Sequence, residues 1–187
     1  MKKLSTYLFL ILFSFSTSSF ADDIRDFQIE GVSIGDSLLD YMSEEEIKES
    51  VVYIYPDTKF TVSKYKKSTE LYDGGINAEY RSKDKTYKIY GLVGIIVFNN
   101  NIESCYKKQD EIEQDISSTF KKIKIKKFDI GPYWRGEGST YKQTQFYVES
   151  GDALSVDCYY FPNAPTENNL KVTITSTELQ KYLMSLN

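Results

Sequence analysis

The chain has 187 residues, with 27 acidic and 23 basic side chains and a net charge of −4. It contains no histidine, which excludes Ser-His-Asp and Cys-His nucleophile systems and every zinc site that uses histidine. The acidic balance argues against general nucleic-acid binding, because neutralising phosphates requires clustered positive charge.

The segment 1–21 has the three parts of a cleavable signal peptide. Lys2 and Lys3 precede a short apolar run at residues 7–13, and the small residues Ser19 and Ala21 mark a cleavage site after Ala21. The alternative is an N-terminal membrane anchor, but a membrane span needs roughly 20 apolar residues and this run is shorter. We therefore expect export to the periplasm, with the extracellular space as the alternative.

Residues 22–187 are then expected to form a single domain, since their number suits one hydrophobic core. The leader carries two lysines and no acidic residue, so its removal makes the chain more acidic. The most apolar later stretch, residues 91–98, has the length of a strand. No transmembrane span is expected in the mature chain.

The first part of the domain is predicted to begin with an extended segment at 27–32. Ser33 is predicted to cap a short helix that continues to Met42, and Ser43 and Glu46 form a capping box that starts a second helix. Alternating apolar residues then predict strands at 51–55, 59–65, 76–81 and 86–98.

One long helix is predicted at about 102–123. Its apolar residues repeat at helical spacing and fall within roughly 80° of one another on a helical wheel. They are Ile102, Cys105, Ile112, Ile116, Phe120 and Ile123. This pattern directs Cys105 toward the core from the first turns of the helix.

The last part of the chain is predicted to contain strands at 125–130, 140–148, 153–161 and 170–174. Thr177 and Gln180 form a second capping box, which opens a C-terminal helix. This helix places Leu179, Tyr182, Leu183 and Leu186 on one face. Runs of strands broken by one long helix predict an α+β fold with a mainly antiparallel sheet.

The two cysteines, Cys105 and Cys158, are expected to form a disulfide, because an even number of cysteines in an exported protein favours pairing. Cys158 shares the core-directed parity of its strand with Leu154 and Val156. The bond would close a loop of about 54 residues and stabilise the fold nominally by about 4 kcal/mol. Two buried free thiols are the alternative.

Four segments resemble a family of small exported proteins of marine alphaproteobacteria. They are DIRDFQIEGVSIGDSLLDY at 23–41, YGLVGIIVF at 90–98, CYKKQDE at 105–111 and SVDC at 155–158. The resemblance covers nearly all of the mature chain and implies export and a single domain. It implies no activity, because the family has no assigned function.

Two groups of residues suggest an interaction surface. The glycine-rich loop 131–138 contains Tyr133, Trp134 and Arg135, which are residue types that dominate binding hot spots. The alternative is that Trp134 folds back over the edge of the core.

The second group is a run of lysines at 121, 122, 124, 126 and 127. These lysines either face an anionic lipid or glycan, or occupy a helix C-terminus and the solvent side of an edge strand.

No phosphate loop or complete dinucleotide-binding glycine pattern occurs, so no cofactor is expected. The sequence favours a non-enzymatic exported module that binds a protein or an envelope component, with Tyr133, Trp134 and Arg135 as the candidate contact loop. The alternative is a histidine-independent hydrolase that uses two carboxylates on a glycan or envelope substrate. The sequence nominates no catalytic pair and no metal ligand.

Overall fold

The computed structural model describes residue 24 and residues 27–120, 122–133 and 136–186. The predicted leader and its cleavage site after Ala21 lie outside the described residues. Within them, one sheet contains eight strands: β1 Val51–Ile54, β2 Phe60–Lys66, β3 Gly75–Arg81, β4 Ile89–Val97, β5 Lys124–Pro132, β6 Thr140–Tyr147, β7 Ala153–Tyr160 and β8 Asn169–Thr175. The α-helices are α1 Glu44–Glu49, α2 Ile102–Thr119 and α3 Thr177–Met184.

The sheet consists of two four-stranded meanders that meet at its centre. The strand order is β1-β2-β3-β4-β8-β7-β6-β5, and every neighbouring pair is antiparallel. The α2 helix connects the end of the first meander to the far edge of the second. The predicted α+β class with a mainly antiparallel sheet is confirmed.

Strand periodicity gives the sheet an inner, apolar face and an outer, mixed face. On the inner face, Leu92 of β4 lies opposite Ile174 of β8, which lies opposite Leu154 of β7, and all three are fully buried. The α1 and α2 helices and the N-terminal segment with Ile29 and Val32 pack against this face. Among the described residues, α3 covers part of the outer face.

The α2 helix ends at Thr119 and not at Ile123 as predicted. Ser118 and Thr119 both donate side-chain hydrogen bonds to the backbone oxygen of Asp115, and Phe120 has extended backbone angles. Such side-chain bonds compete with helix continuation. Ile123 still packs against the core, but from the connection that leads into β5.

Two helices are capped by residues other than those predicted. Ser33 donates to the backbone oxygen of Phe27, while Ser37 caps a short 3-10 helix at Leu38–Asp40. At the C-terminal helix the capping residue is Ser176, one residue before the predicted Thr177. Thr177 instead hydrogen-bonds Asp152 in the β6–β7 turn. The Ser43–Glu46 capping box of α1 is confirmed.

The α3 helix packs on the outer face over the first meander. Gly91 of β4 makes this approach possible, because a Cβ atom at that position would lie 2.7 Å from Leu179 Cδ2. Tyr182 packs against Phe60 of β2, with ring centroids 4.8 Å apart. Leu179, Tyr182 and Phe60 form a small apolar cluster separate from the main core.

A disulfide links Cys105 of α2 to Cys158 of β7, as predicted. One turn further along α2, the fully buried Gln109 donates hydrogen bonds from Nε2 to the backbone oxygens of Lys142 and Val156, at 3.2 and 2.8 Å. The sequence pattern did not predict that this amide is buried. The α2 helix is therefore held to the second meander by a covalent bond and by an amide that bridges β6 and β7.

The two edges of the sheet differ in character. The edge strand β5 carries exposed lysines at Lys124, Lys126 and Lys127, which discourage pairing with another strand. The opposite edge strand, β1, exposes about half of the side chains of Val52, Tyr53 and Ile54. The predicted placement of the lysine run at an edge is thus confirmed for these three residues.

Replacing both cysteines by serine should lower the free energy of unfolding by about 4 kcal/mol, because the unfolded chain regains the freedom of the closed loop. Urea denaturation of the oxidised protein and of the Cys105→Ser/Cys158→Ser variant measures the difference. The reduced wild-type protein is the control and should match the variant to within about 1 kcal/mol. A variant as stable as the oxidised protein would contradict the clamping role of the bond.

Candidate functional site on the outer face

The loop that the sequence singled out begins on the outer face of the sheet. Tyr133 directly follows β5, and its backbone N–H donates to the oxygen of Ser139 at 2.7 Å, which closes the loop between β5 and β6. Trp134 and Arg135 lie outside the described residues. Of the predicted contact residues, Tyr133 alone can therefore be placed.

Tyr133 belongs to a group of aromatic side chains that we call the tyrosine cluster: Tyr133, Tyr141, Tyr159 and Phe161. The ring centroid of Tyr133 lies 5.0 Å from that of Tyr159, 5.9 Å from Phe161 and 6.0 Å from Tyr141. The three tyrosines are half-buried and Phe161 is buried. Edge-to-face contacts of this kind fix ring orientation while each tyrosine keeps a polar end.

The register of β6 and β7 explains why these rings meet. Tyr141 and Tyr159 are direct cross-strand partners, and their side chains point away from the inner face that holds Cys158. Lys171 of β8 lies beside them, with Nζ 4.7 Å from the centre of the Tyr159 ring. The result is an aromatic surface with one adjacent cation, which is a composition typical of binding sites.

A chain of side-chain hydrogen bonds runs along β6 next to the cluster. The Tyr147 hydroxyl donates to Gln145 Oε1, and Gln145 Nε2 donates to Gln143 Oε1 at 2.9 Å. Gln143 in turn lies directly opposite Asp157 on β7 and lowers the pKa of that carboxyl. Because these residues alternate along one strand, their side chains share the outer face and can join end to end.

Asp157 is the most enclosed charged group of this face, with 4% of its surface exposed. Ser155 Oγ donates to Oδ2 at 2.8 Å, whereas Oδ1 has no hydrogen-bond partner among the described residues. Burial raises the pKa of Asp157 to about 6, and hydrogen bonds from Ser155 and Gln143 and the charge of Lys171 only partly offset this. The carboxyl is therefore readily protonated in mildly acidic solution.

Glu79 on β3 is a second outer-face carboxyl whose pKa is raised by burial, and it accepts a hydrogen bond from the Tyr55 hydroxyl at 3.1 Å. Strands β4 and β8 separate it from Asp157 on β7. Three strand spacings amount to about 14 Å. Paired glycosidase carboxylates are about 5 to 9.5 Å apart, so Glu79 and Asp157 do not form such a pair.

Three further acids line a groove of about 760 Å³ beside α3, and each has a partner. Asp57 accepts a hydrogen bond from the Tyr182 hydroxyl, which lowers its pKa. Hydrogen bonds from Thr86 lower the pKa of Asp84, and Glu178 pairs with Arg81. A general acid needs a raised pKa, and neither Asp57 nor Asp84 has one.

Neither a metal centre nor a membrane-crossing helix is evident in the described part of the chain. Among those residues, no group of three or more histidine, cysteine, aspartate or glutamate side chains could hold a metal ion. No helix that they form combines the length and the apolar character required to cross a bilayer.

Sequence reasoning missed Gln143, Asp157 and Lys171 as members of one surface. Their positions on the outer parity of predicted strands were visible, because the neighbouring residues Val156 and Cys158 fit the inner face. Their proximity depends on the pairing of β6, β7 and β8, which places Gln143 and Lys171 on either side of Asp157. Strand parity alone carries no information about those partners.

Replacing Asp157 by asparagine should remove a pH dependence of stability. The folded-state pKa is raised from 3.8 to about 6, so the folded state binds the proton more tightly and loses stability as the pH rises through this window. Relative to Asp157→Asn, the wild-type protein should lose up to about 3 kcal/mol between pH 4 and pH 7.

Urea denaturation at several pH values measures this difference. Asp115→Asn, which removes an exposed carboxyl from α2, controls for the loss of one negative charge. If the stability difference between wild type and Asp157→Asn stays constant across the window, burial does not govern the protonation of Asp157.

Comparisons with known proteins found no relative of this chain. No protein-family model matches it, and no curated protein and no solved structure matches it either. The activity of a relative therefore offers no guide to function. The tyrosine cluster and the groups around Asp157 are the features from which a function can be argued.

Proposed function

We propose that the protein is an exported, non-enzymatic module that binds a partner protein or an envelope component through the tyrosine cluster. The observation that carries the proposal is the grouping of Tyr133, Tyr141 and Tyr159 as half-buried rings on one sheet face. Tyrosine supplies a large contact area and a hydroxyl at a low cost in side-chain entropy.

The rigidity of the cluster supports a binding role. Its rings come from the β5–β6 loop, from β6 and from β7 with the residue that follows it, and each ring contacts at least one other. Lys171 adds a cation at the Tyr159 ring. A surface whose side chains are already ordered loses little conformational entropy when a partner binds.

The carboxylate hydrolase receives less support from the geometry. Among the described residues, Asp157 and Glu79 are the carboxyls with a raised pKa. They are too far apart to act on one glycosidic bond, and Asp157 is enclosed by its neighbours. Asp57 and Asp84 in the groove have lowered pKa values. These features favour binding over hydrolysis.

Export remains part of the proposal. Removal of residues 1–21 would deliver one domain, residues 22–187, to the periplasm or to the extracellular space. The disulfide between Cys105 and Cys158 is compatible with such an oxidising compartment. Membership of the family of small exported alphaproteobacterial proteins is likewise a proposal, and the similarity of the four segments supports it.

The mature protein recovered from a periplasmic extract should begin at Asp22 and should resist alkylation of both cysteines unless it is first reduced. N-terminal sequencing and mass spectrometry after thiol labelling measure the two properties. An Ala21→Arg variant, which places a large charged residue at the cleavage position, should accumulate uncut. Uncut wild-type protein in the cytosol with two reactive thiols would exclude export.

Loss of the cluster should weaken capture of the partner. Crosslinking of the tagged protein in its native envelope, followed by mass spectrometry, identifies the partner, and pull-down from envelope extracts measures its capture. Tyr133→Ala should reduce capture about tenfold, as expected for a hot-spot residue. Trp134→Ala and Arg135→Ala test the rest of the loop.

Tyr53→Ala is the matched control, because Tyr53 is about 50% exposed on the opposite edge strand. It should leave capture of the partner unchanged. Urea denaturation of each variant separates lost binding from lost stability. Unchanged capture by Tyr133→Ala, Trp134→Ala and Arg135→Ala at unchanged stability would end the proposal.

A further inference from the structure

A groove on the other half of the outer face has the size of a small-molecule site. It lies between α3, the turn that joins β1 to β2, and the connection that follows β3, and its volume is about 760 Å³. Ligand sites for small molecules commonly enclose about 300 to 1,000 Å³. The groove lies over the first meander, whereas the tyrosine cluster lies on β6 and β7. The two surfaces are therefore separate.

The floor of this groove is apolar. Phe60 of β2 and Tyr182 of α3 both line it, and their rings pack against each other. Tyr90 packs edge-on against Phe60 at a centroid distance of 5.6 Å, but it lies outside the lining of the groove. Phe60 and Tyr182 keep 3% and 8% of their surface exposed, so an apolar segment of a ligand would be removed from water against the small exposed part of these two rings.

The walls of the groove are tied together by polar contacts. The Tyr182 hydroxyl donates to Asp57 Oδ1 at 2.6 Å and so joins α3 to the β1–β2 turn. Arg81 Nε donates to Glu178 Oε1 at 2.7 Å and joins α3 to the end of β3. Because both walls are fixed to the helix, the groove is formed before any ligand arrives, which favours affinity.

These contacts leave an excess of positive charge at the rim. Asp57 also pairs with Lys59, at 3.1 Å, and Asp84 accepts hydrogen bonds from Thr86. Among the described residues, Lys83 and Lys181 form no ion pair, although both line the groove and are exposed. The hydrogen bonds from Thr86 leave the charge of Asp84 in place. The groove lining still has a net positive charge that can attract an anion, because it carries four cations and three carboxylates: Lys59, Arg81, Lys83 and Lys181 against Asp57, Asp84 and Glu178.

We propose that this groove binds a small amphiphile with one anionic head, a carboxylate or a phosphate, on an apolar body. The head lies at the rim with Lys83 and Lys181, and the body lies along Phe60 and Tyr182. Neither part suffices alone, because exposed lysines hold a small anion weakly in water and an uncharged apolar chain gains nothing from the cations. The inference does not depend on the function proposed for the tyrosine cluster.

Titration of the full exported protein with octanoate, followed by backbone amide NMR, tests this proposal. Octanoate should shift the amides of the groove residues in a saturable manner and leave those of the tyrosine cluster unchanged. Acetate, which has the head alone, and octyl glucoside, which has the tail without charge, should bind at least about tenfold more weakly. Equal affinity for octyl glucoside, or no shift at the groove with octanoate, would overturn the proposal.

A pair of lysine variants locates the head. Lys83→Gln/Lys181→Gln should weaken octanoate binding about tenfold, since two partly solvated charge contacts are lost. Lys67→Gln/Lys107→Gln is the matched control, because it removes the same charge from exposed positions outside the groove. A control variant that weakens binding as much as the groove variant would show that net charge, and not the groove, attracts the anion.

Vesicles distinguish a free amphiphile from a membrane lipid as the source of the anionic head. Sedimentation with phosphatidylglycerol vesicles, compared with phosphatidylcholine vesicles, measures lipid binding by the same protein. Binding to phosphatidylglycerol that Lys83→Gln/Lys181→Gln weakens assigns a lipid headgroup to the groove. Octanoate binding without vesicle binding assigns a free anionic amphiphile.

Discussion

The antiparallel pairing of β4 with β8 at the centre of the sheet holds the two halves of the molecule together. Each meander is built from strands that follow one another along the chain, so its pairings close short loops. The β4–β8 ladder joins residues that are far apart along the chain, such as Val97 and Asn169, which are 72 positions apart. It also sets the register that brings Leu92, Ile174 and Leu154 into one apolar row. This register determines which side chains lie on each face of the sheet. If one strand were shifted by one residue against its neighbour, its inner and outer side chains would exchange faces.

The two faces of the sheet differ in composition and in what packs on them. The inner face buries apolar side chains under α2, α1 and the N-terminal segment. The outer face carries α3 over one meander and leaves the other to polar and aromatic side chains. Because α3 covers only part of the sheet, it creates the groove at its side and does not cover the tyrosine cluster. A short helix placed after the last strand thus divides the outer face into two separate surfaces.

Local patterns in the sequence predicted the elements of this fold well, and they did not predict contacts between distant elements. Alternation in residues 153–161 and helical spacing from Ile102 to Ile116 identified β7 and α2 and oriented both cysteines. The predicted end of α2 at Ile123 was wrong. The side chains of Ser118 and Thr119 donate hydrogen bonds to the backbone oxygen of Asp115, and the helix ends at Thr119. For the candidate site, Tyr133 was identified from its residue type. Its contact with Tyr159 depends on long-range strand pairing that no local pattern encodes.

The presence of only two cysteines simplifies how this protein matures. A chain with four cysteines can pair in three ways, whereas here oxidation has one intramolecular outcome, the bond between Cys105 and Cys158. Gln109 holds the same helix against β6 and β7 through backbone oxygens that do not depend on redox state. Formation of the bond therefore requires an oxidant but no disulfide isomerase, and a protein that is briefly reduced keeps its two sulfur atoms close enough to rejoin.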